Sequence, residues 1–241
     1  MRIDIVTIFP EALAPLEVSI LGRARARGLV EISVVDLRDF TSDRHRQVDD
    51  LAYGGGPGMV MKPEPFFAAV EALTPPEGPR PRVLLTSPQG RRFDQRAAED
   101  LSRERRLIVL CGRYEGVDER VVEGLGAEEF SIGDYVLTGG ELAAMVIVDA
   151  AVRLIPGVVG DAASVVAESF AGGMLDHPHY TRPADFRGLR VPEVLLSGHH
   201  EAIRRWRRRE QLRRTLARRP DLICWDALGD EDRALLRDDD A

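Results

Sequence analysis

The chain has 241 residues, 44% hydrophobic and 30% charged, with a formal net charge of −7; this is ordinary globular composition, enough for one large domain or a domain with a smaller companion. Its two cysteines, Cys111 and Cys224, form no C-x-x-C pair, which argues against a disulfide framework or a structural zinc and fits a reducing compartment. No apolar run approaches a membrane span and "MRIDIVTIFP" lacks the layout of a signal peptide, so a cytoplasmic location and no membrane partner are expected.

In chain order, "RIDIVTIF" (2–9) is β-branched and apolar and predicts a buried strand. A helix is expected over 15–27, ending at Gly28, and a second strand over 30–36. Residues 38–62 read as a long, polar, glycine-rich loop; a loop of that length is usually functional or disordered. A helix follows over 63–73, with Pro63 suited to its first turn. Strands are expected at 82–87 and 106–112, with a helix at 94–103 between them. A short helix over 117–125 precedes a longer, buried one over 141–154, stopped by Pro156-Gly157. This alternation predicts an α/β fold with a parallel sheet covered on both faces. Small residues from Gly157 to Met174 read as a linker, so the expected organisation is a main domain over 1–159, a linker over 160–175 and a helical domain over 176–241.

Three loops follow the expected strands, "TSPQG" (86–90), "CGRYEG" (111–116) and "SIGDYVLTGG" (131–140). In such sheets ligands bind outside the carboxyl ends of the strands, where these loops could converge on one pocket. They carry neither G-x-G-x-x-G at a strand–helix junction nor a Walker lysine. Their titratable residues are mostly acids, Glu115, Asp118, Asp134 and Glu141, which disfavour a polyphosphate and tolerate a cation. A phosphate-free, cationic adenosine compound such as S-adenosylmethionine would fit; three ordinary turns are the bland alternative. In "DDLAYGGGPGM" (49–59), Asp49 and Asp50 offer carboxylates that can accept hydrogen bonds from a guanine edge.

Net charge alone would argue against a nucleic-acid partner, but nine arginines crowd residues 204–219 beside Glu210. The expected reading is a phosphate-backbone surface rather than a solvated helix face. The five histidines, His45, His177, His179, His199 and His200, have no nearby cysteines in zinc spacing, and no metal site is expected.

Together the stretches "YGGGPGMVMKPEP", "LTSPQGRRFDQ", "CGRYEGVDERV", "SIGDYVLTGGELAAM", "RLIPGVVG", "HYTRP" and "VPEVLLSGHHEAIRRWR" are more specific than any one alone. The sequence resembles the bacterial tRNA (guanine-N1)-methyltransferases of the SPOUT superfamily. The matching stretches run in order over nearly the whole chain, leaving only the acidic C-terminal tail outside. The resemblance implies a SPOUT-type α/β fold with a deep trefoil knot, plus a small helical C-terminal domain. It implies that the knot loops hold S-adenosylmethionine, through Thr86, Ser87 and Pro88, through Gly112, Tyr114, Glu115 and Gly116, and through Ser131, Ile132, Gly133, Asp134, Tyr135, Val136, Leu137, Gly139 and Gly140. It implies tRNA contacts at Asp49, Asp50 and Gly58 and at Arg204, Arg205, Arg207, Arg208 and Arg209. It also implies a homodimer with shared active sites and, as substrate, the guanosine at tRNA position 37 preceded by another guanosine. Magnesium is associated with the family's reaction, but no dedicated cage is legible here.

Methylation at N1 of guanine needs a base for the N1 proton and a group that stabilises negative charge at O6. The family pattern places the arginine at Arg153 and the carboxylate at Glu168, where it has Asp and this sequence has one more methylene. The rivals are a catalytically silent RNA-binding protein of the same fold and, more weakly, a nucleotide-dependent hydrolase, disfavoured by the missing Walker lysine.

Overall fold

The computed structural model describes residues 1–160 and 168–237. Asp161, the rest of the expected linker through Ala167, and the acidic tail 238–241 lie outside the described residues. The chain divides into two compact units, Met1–Gly160 and Asp161–Ala241.

The first unit contains, in chain order, strands β1 (Arg2–Thr7), β2 (Glu31–Asp36), β3 (Asp49–Leu51), β4 (Met59–Met61), β5 (Arg82–Arg92), β6 (Arg106–Cys111) and β7 (Glu128–Ser131). Its helices are α1 (Ser19–Ala26), α2 (Pro63–Leu73), α3 (Gln95–Ser102), α4 (Glu119–Leu125) and α5 (Glu141–Val152). Five strands form a parallel sheet in the order β2-β1-β6-β5-β7. Alternate residues of a strand point to opposite faces. Ile3, Ile5, Leu107 and Val109 therefore pack with α1, α3 and α5, while Val6, Ile108 and Leu110 pack with α2 and α4. Burial on both faces is why these strands are legible as apolar runs, and each such side chain contributes roughly 1.5–3 kcal/mol. Local chemistry sets the helix ends. Asp94 accepts from the backbone N–H of Ala97 at 2.9 Å to cap α3, and Gly126, at φ 63°, closes α4.

Four departures from the sequence reading have physical causes. The helix expected over 15–27 is a 3-10 segment, Pro10–Glu17, followed by α1 after an extended Val18. The loop over 38–62 contains a 3-10 turn, Leu37–Phe40, and the antiparallel hairpin β3–β4, whose strands of three residues carry too little pattern to detect. Strand β7 begins with two glutamates; Glu128 is tolerated because Arg82 donates to it at 2.6 Å. Strand β5 runs on to Arg92 instead of ending at Ser87.

From β1 the chain goes to the edge strand β2, then returns to build β5, β6 and β7 on the other side. A reversal of this kind opens a crevice at the carboxyl ends of the strands.

The second unit contains a small hairpin, β8 (Asp185–Phe186) and β9 (Leu189–Arg190), which the sequence reading did not anticipate. Arg187 (φ 57°) and Gly188 (φ 84°) supply the two positive φ values of a two-residue hairpin turn. Three helices follow, α6 (Glu193–Leu196), α7 (His200–Arg218) and α8 (Asp230–Arg237). The core of this unit is Leu212, Ile223, Leu228 and Leu235.

Candidate active site

The three loops singled out in the sequence line one cavity of about 380 Å³ at the carboxyl ends of β5, β6 and β7. Every loop residue named above for the methyl donor lines it except Asp134. The first loop is a bulge rather than a strand end. Thr86 and Arg91 both pair with Phe130, so the chain leaves the sheet and rejoins it opposite the same residue.

The glycines serve close packing between loops as much as an open pocket wall. Gly140 donates its backbone N–H to the Gly112 carbonyl at 2.8 Å. A Cβ on Gly140 would stand 1.9 Å from Thr86 Oγ1 and 2.9 Å from the Gly112 nitrogen. Gly133, at φ 155°, adopts a backbone conformation that side chains rarely allow. Tyr114 holds a positive φ of 60° within the second loop, local strain of the kind that collects at functional sites.

The pocket's charge differs from the sequence expectation. Glu141, only 3% exposed at its side chain, does not face a ligand. Thr7 Oγ1 donates to its Oε1 at 2.7 Å, and Arg113 donates to its Oε2 through Nε at 3.0 Å and Nη2 at 2.9 Å. Arg113 also donates to the Thr138 carbonyl at 3.1 Å and stacks 4.4 Å over the Phe9 ring. One arginine thus ties the second and third loops to the end of β1. Its role was missed in "CGRYEG"; the available signal was an acid opening an apolar helix, which needs a buried partner. Asp118 caps α4, and hydrogen bonds from the Arg120 side chain hold its carboxyl below the usual range. Glu115, Glu119 and Glu129 remain along the cavity, with Leu85, Ile132, Val136 and Leu137 as apolar walls. Apolar walls beside carboxylates suit an adenosine carrying a sulfonium. Burial, reinforced by Glu141, pushes the Cys111 thiol well above its ordinary value, so it is no nucleophile.

The β3–β4 hairpin, bearing Asp49, Asp50 and Gly58, abuts the second loop. Glu115 donates its backbone N–H to the Met59 carbonyl at 3.0 Å, and Met61 donates to the Gly116 carbonyl at 2.9 Å. A Cβ on Gly58 would meet the Glu115 side chain.

Other expected residues lie elsewhere. Arg153 caps the far end of α5 from Ala143, a cavity-lining residue; at about 1.5 Å per residue, roughly 15 Å of helix separates them. Glu168 belongs to the second unit, half-buried in a hollow that Asp176, His177 and His179 also line. The sequence reading expects no metal site at these histidines. Yet among the described residues Asp176, His177 and His179 are the one group of three potential metal ligands.

The arginine cluster is more compensated than the sequence suggested, because α8 brings acids back to α7. Arg204 pairs with Glu201 at 2.8 Å and Glu231 at 2.6 Å, and Arg208 pairs with Asp232 at 2.6 Å. Arg209 faces Glu210 at 3.8 Å. Arg205 and Arg207 are exposed on α7, and neither makes an ion pair among the described residues.

A family model described as tRNA (Guanine-1)-methyltransferase TrmD matches residues 1–224. The chain belongs to that family. A tRNA (guanine-N(1)-)-methyltransferase of Pelotomaculum thermopropionicum is 58% identical over 240 residues, 99% of this chain and 96% of that protein. The protein of the same description in Dictyoglomus turgidum is 58% identical over 239 residues, again 99% and 96%. A Bacillus cereus relative is 57% identical over 224 residues, 92% of each. Among the described residues of this tRNA (guanine-1)-methyltransferase family member, no helix is long and apolar enough to cross a membrane.

Proposed function

We propose that the protein transfers the methyl group of S-adenosylmethionine to N1 of the guanosine at tRNA position 37. The observation that carries this is the single cavity formed by the three phosphate-shy loops, in a chain matched almost end to end by proteins named for this reaction. The apolar walls Leu85, Ile132, Val136 and Leu137 would hold the adenosine of S-adenosylmethionine, and Glu115, Glu119 and Glu129 would favour its sulfonium. When bound, the donor would supply an electrophilic methyl carbon to N1, the carbon–sulfur electron pair leaving on a neutral thioether. Glu168 takes the N1 proton, and Arg153 stabilises charge arriving at O6. The hairpin carboxylates Asp49 and Asp50 read the guanine edge. A tRNA substrate makes the protein cytoplasmic.

A homodimer with shared sites accounts for Arg153, which a second subunit would bring to the cavity its own chain keeps it from. Leu142 and Val146, 54% and 47% exposed on α5, offer an apolar face for that contact. A trefoil knot is supported by the third loop, which packs back against Thr86 and Gly112 before α5 begins. Magnesium has no place in this scheme beyond its association with the family. The silent RNA-binding alternative is disfavoured by intact loops and by full-length relatives named as methyltransferases.

Donor binding tests the cavity. Gly140→Ala inserts a methyl group where the loops touch, at a cost of roughly 1–3 kcal/mol for overpacking, so donor affinity should fall on the order of fivefold to more than a hundredfold. Calorimetry with S-adenosylmethionine checks this, and unchanged affinity in a folded variant would place the donor elsewhere.

The arginine surface makes a separate prediction. Arg205→Ala and Arg207→Ala should each reduce the salt slope of tRNA binding by about 1, leaving donor affinity untouched. Arg208→Ala should behave differently, lowering thermal stability because it strands the Asp232 carboxylate. A slope unaltered in the Arg205 and Arg207 variants would make this helix face merely solvated.

A further inference from the structure

We propose that Asp176, His177 and His179 bind one divalent transition-metal ion of the zinc or cobalt class. The three residues each offer a ligand atom, and these atoms lie within 4.8 Å of one another. His179 Nε2 is 2.9 Å from Asp176 Oδ2, and His177 Nε2 is 3.8 Å from Asp176 Oδ1. A zinc ion takes imidazole nitrogen at about 2.0–2.1 Å and carboxylate oxygen at about 2.0–2.2 Å, so tetrahedral ligands stand roughly 3.3–3.5 Å apart. His179 and His177 thus stand within about half an ångström of that spacing, each from a different oxygen of the Asp176 carboxylate.

The surroundings set the ligand atoms. His177 Nδ1 is 3.2 Å from the Pro178 carbonyl, which can only accept; with a metal bound, Nδ1–H donates there and Nε2 is the ligand atom. A ligating histidine ordinarily has this outer-shell partner on its other nitrogen. Pro178 fixes the backbone between the two imidazoles. The Asp176 backbone N–H is anchored on Ser169 Oγ at 2.9 Å, and Asp176 Oδ1 accepts the His177 N–H at 2.7 Å.

Three protein ligands leave a fourth position open, as in zinc sites that keep a water or bind substrate. Glu168 lines the same hollow, as do Arg214 and Arg218, whose charge suits an anionic oxygen on that open position. Two imidazoles select against magnesium, a hard cation that prefers six oxygens, several of them water. The site is therefore distinct from any magnesium dependence of methyl transfer.

The test is titration of the full-length, untagged protein with Co²⁺, read by its visible absorption, followed by competition with Zn²⁺. One ion per chain is expected, displaced by Zn²⁺ but not by excess Mg²⁺. His179→Ala and His177→Ala should each weaken binding by at least tenfold, the lower end of what loss of even an outer-shell partner costs. The His179 side chain is 71% exposed, so its variant should keep the wild-type melting temperature in metal-free buffer. A His199→Ala/His200→Ala double variant should bind as wild type. No Co²⁺ binding, displacement by Mg²⁺, or affinity indifferent to His177 and His179 would overturn the assignment.

Discussion

Glu168→Gln should slow single-turnover methyl transfer by about 10²–10⁴, the usual range for loss of a general base, with affinity for S-adenosylmethionine unchanged. Gln keeps the shape and hydrogen-bonding capacity of Glu but cannot accept the N1 proton. The donor cavity belongs to the first unit and Glu168 to the second, so the variant leaves the cavity's lining intact. Glu168→Asp restores the carboxylate on a shorter arm and should retain substantial activity. Asp176 lines the same hollow as Glu168. Desolvation raises the Asp176 pKa, but the hydrogen bonds from His179 and the His177 backbone outweigh this and hold it below the usual range. Transfer at nearly the wild-type rate by Glu168→Gln, at saturating donor and tRNA, would remove Glu168 from the mechanism and make Asp176 or Asp161 the next residue to replace.

The largest effect on stability should come from Arg113→Met. That change takes the arginine from the buried Glu141 carboxyl and leaves Thr7 as its side-chain partner among the described residues. Removing one partner of a buried pair typically costs about 3–5 kcal/mol. At roughly 2–4 °C per kcal/mol for a chain of this size, Tm should fall by roughly 6–20 °C. Donor binding should weaken as well, because the third loop loses its tie to the second through the Thr138 carbonyl. The double variant Arg113→Met/Glu141→Gln removes the stranded charge and should recover a large part of the lost Tm. A single variant melting within about 2 °C of wild type, or a double variant no better than the single, would show that the pair does not hold the loops.

Elements buried on both faces or with polar caps were legible in the sequence. The helix expected over 63–73 is Pro63–Leu73, and apolar runs mark β1 and β6. Strand β7 was not, because its leading glutamates depend on Arg82, 46 positions away in the chain. Loop chemistry was partly legible. Glycines and missing lysines pointed to one phosphate-free pocket, but composition could not separate glycines that face a ligand from Gly140, which another loop presses against. Nor could it show that Glu141 is neutralised or that Arg208 is occupied by Asp232. Both pairings join residues far apart in sequence, where charge counting along the chain is blind. The "HPH" histidines have no cysteines in zinc spacing, yet with the preceding Asp176 they form the string "DHPH", whose local backbone turns three possible ligands together.

Two unmodified tRNA transcripts that differ only in carrying G or A at position 37, each with G at position 36, allow a direct assay of the chemistry. Each is incubated with the protein and labelled S-adenosylmethionine, digested, and its nucleosides mapped. One methyl group per G37 transcript is expected, recovered as 1-methylguanosine at position 37, with none on the A37 transcript. Label on another base, or no transfer by a protein that binds both donor and tRNA, would contradict the assignment and leave a silent RNA-binding protein in its place.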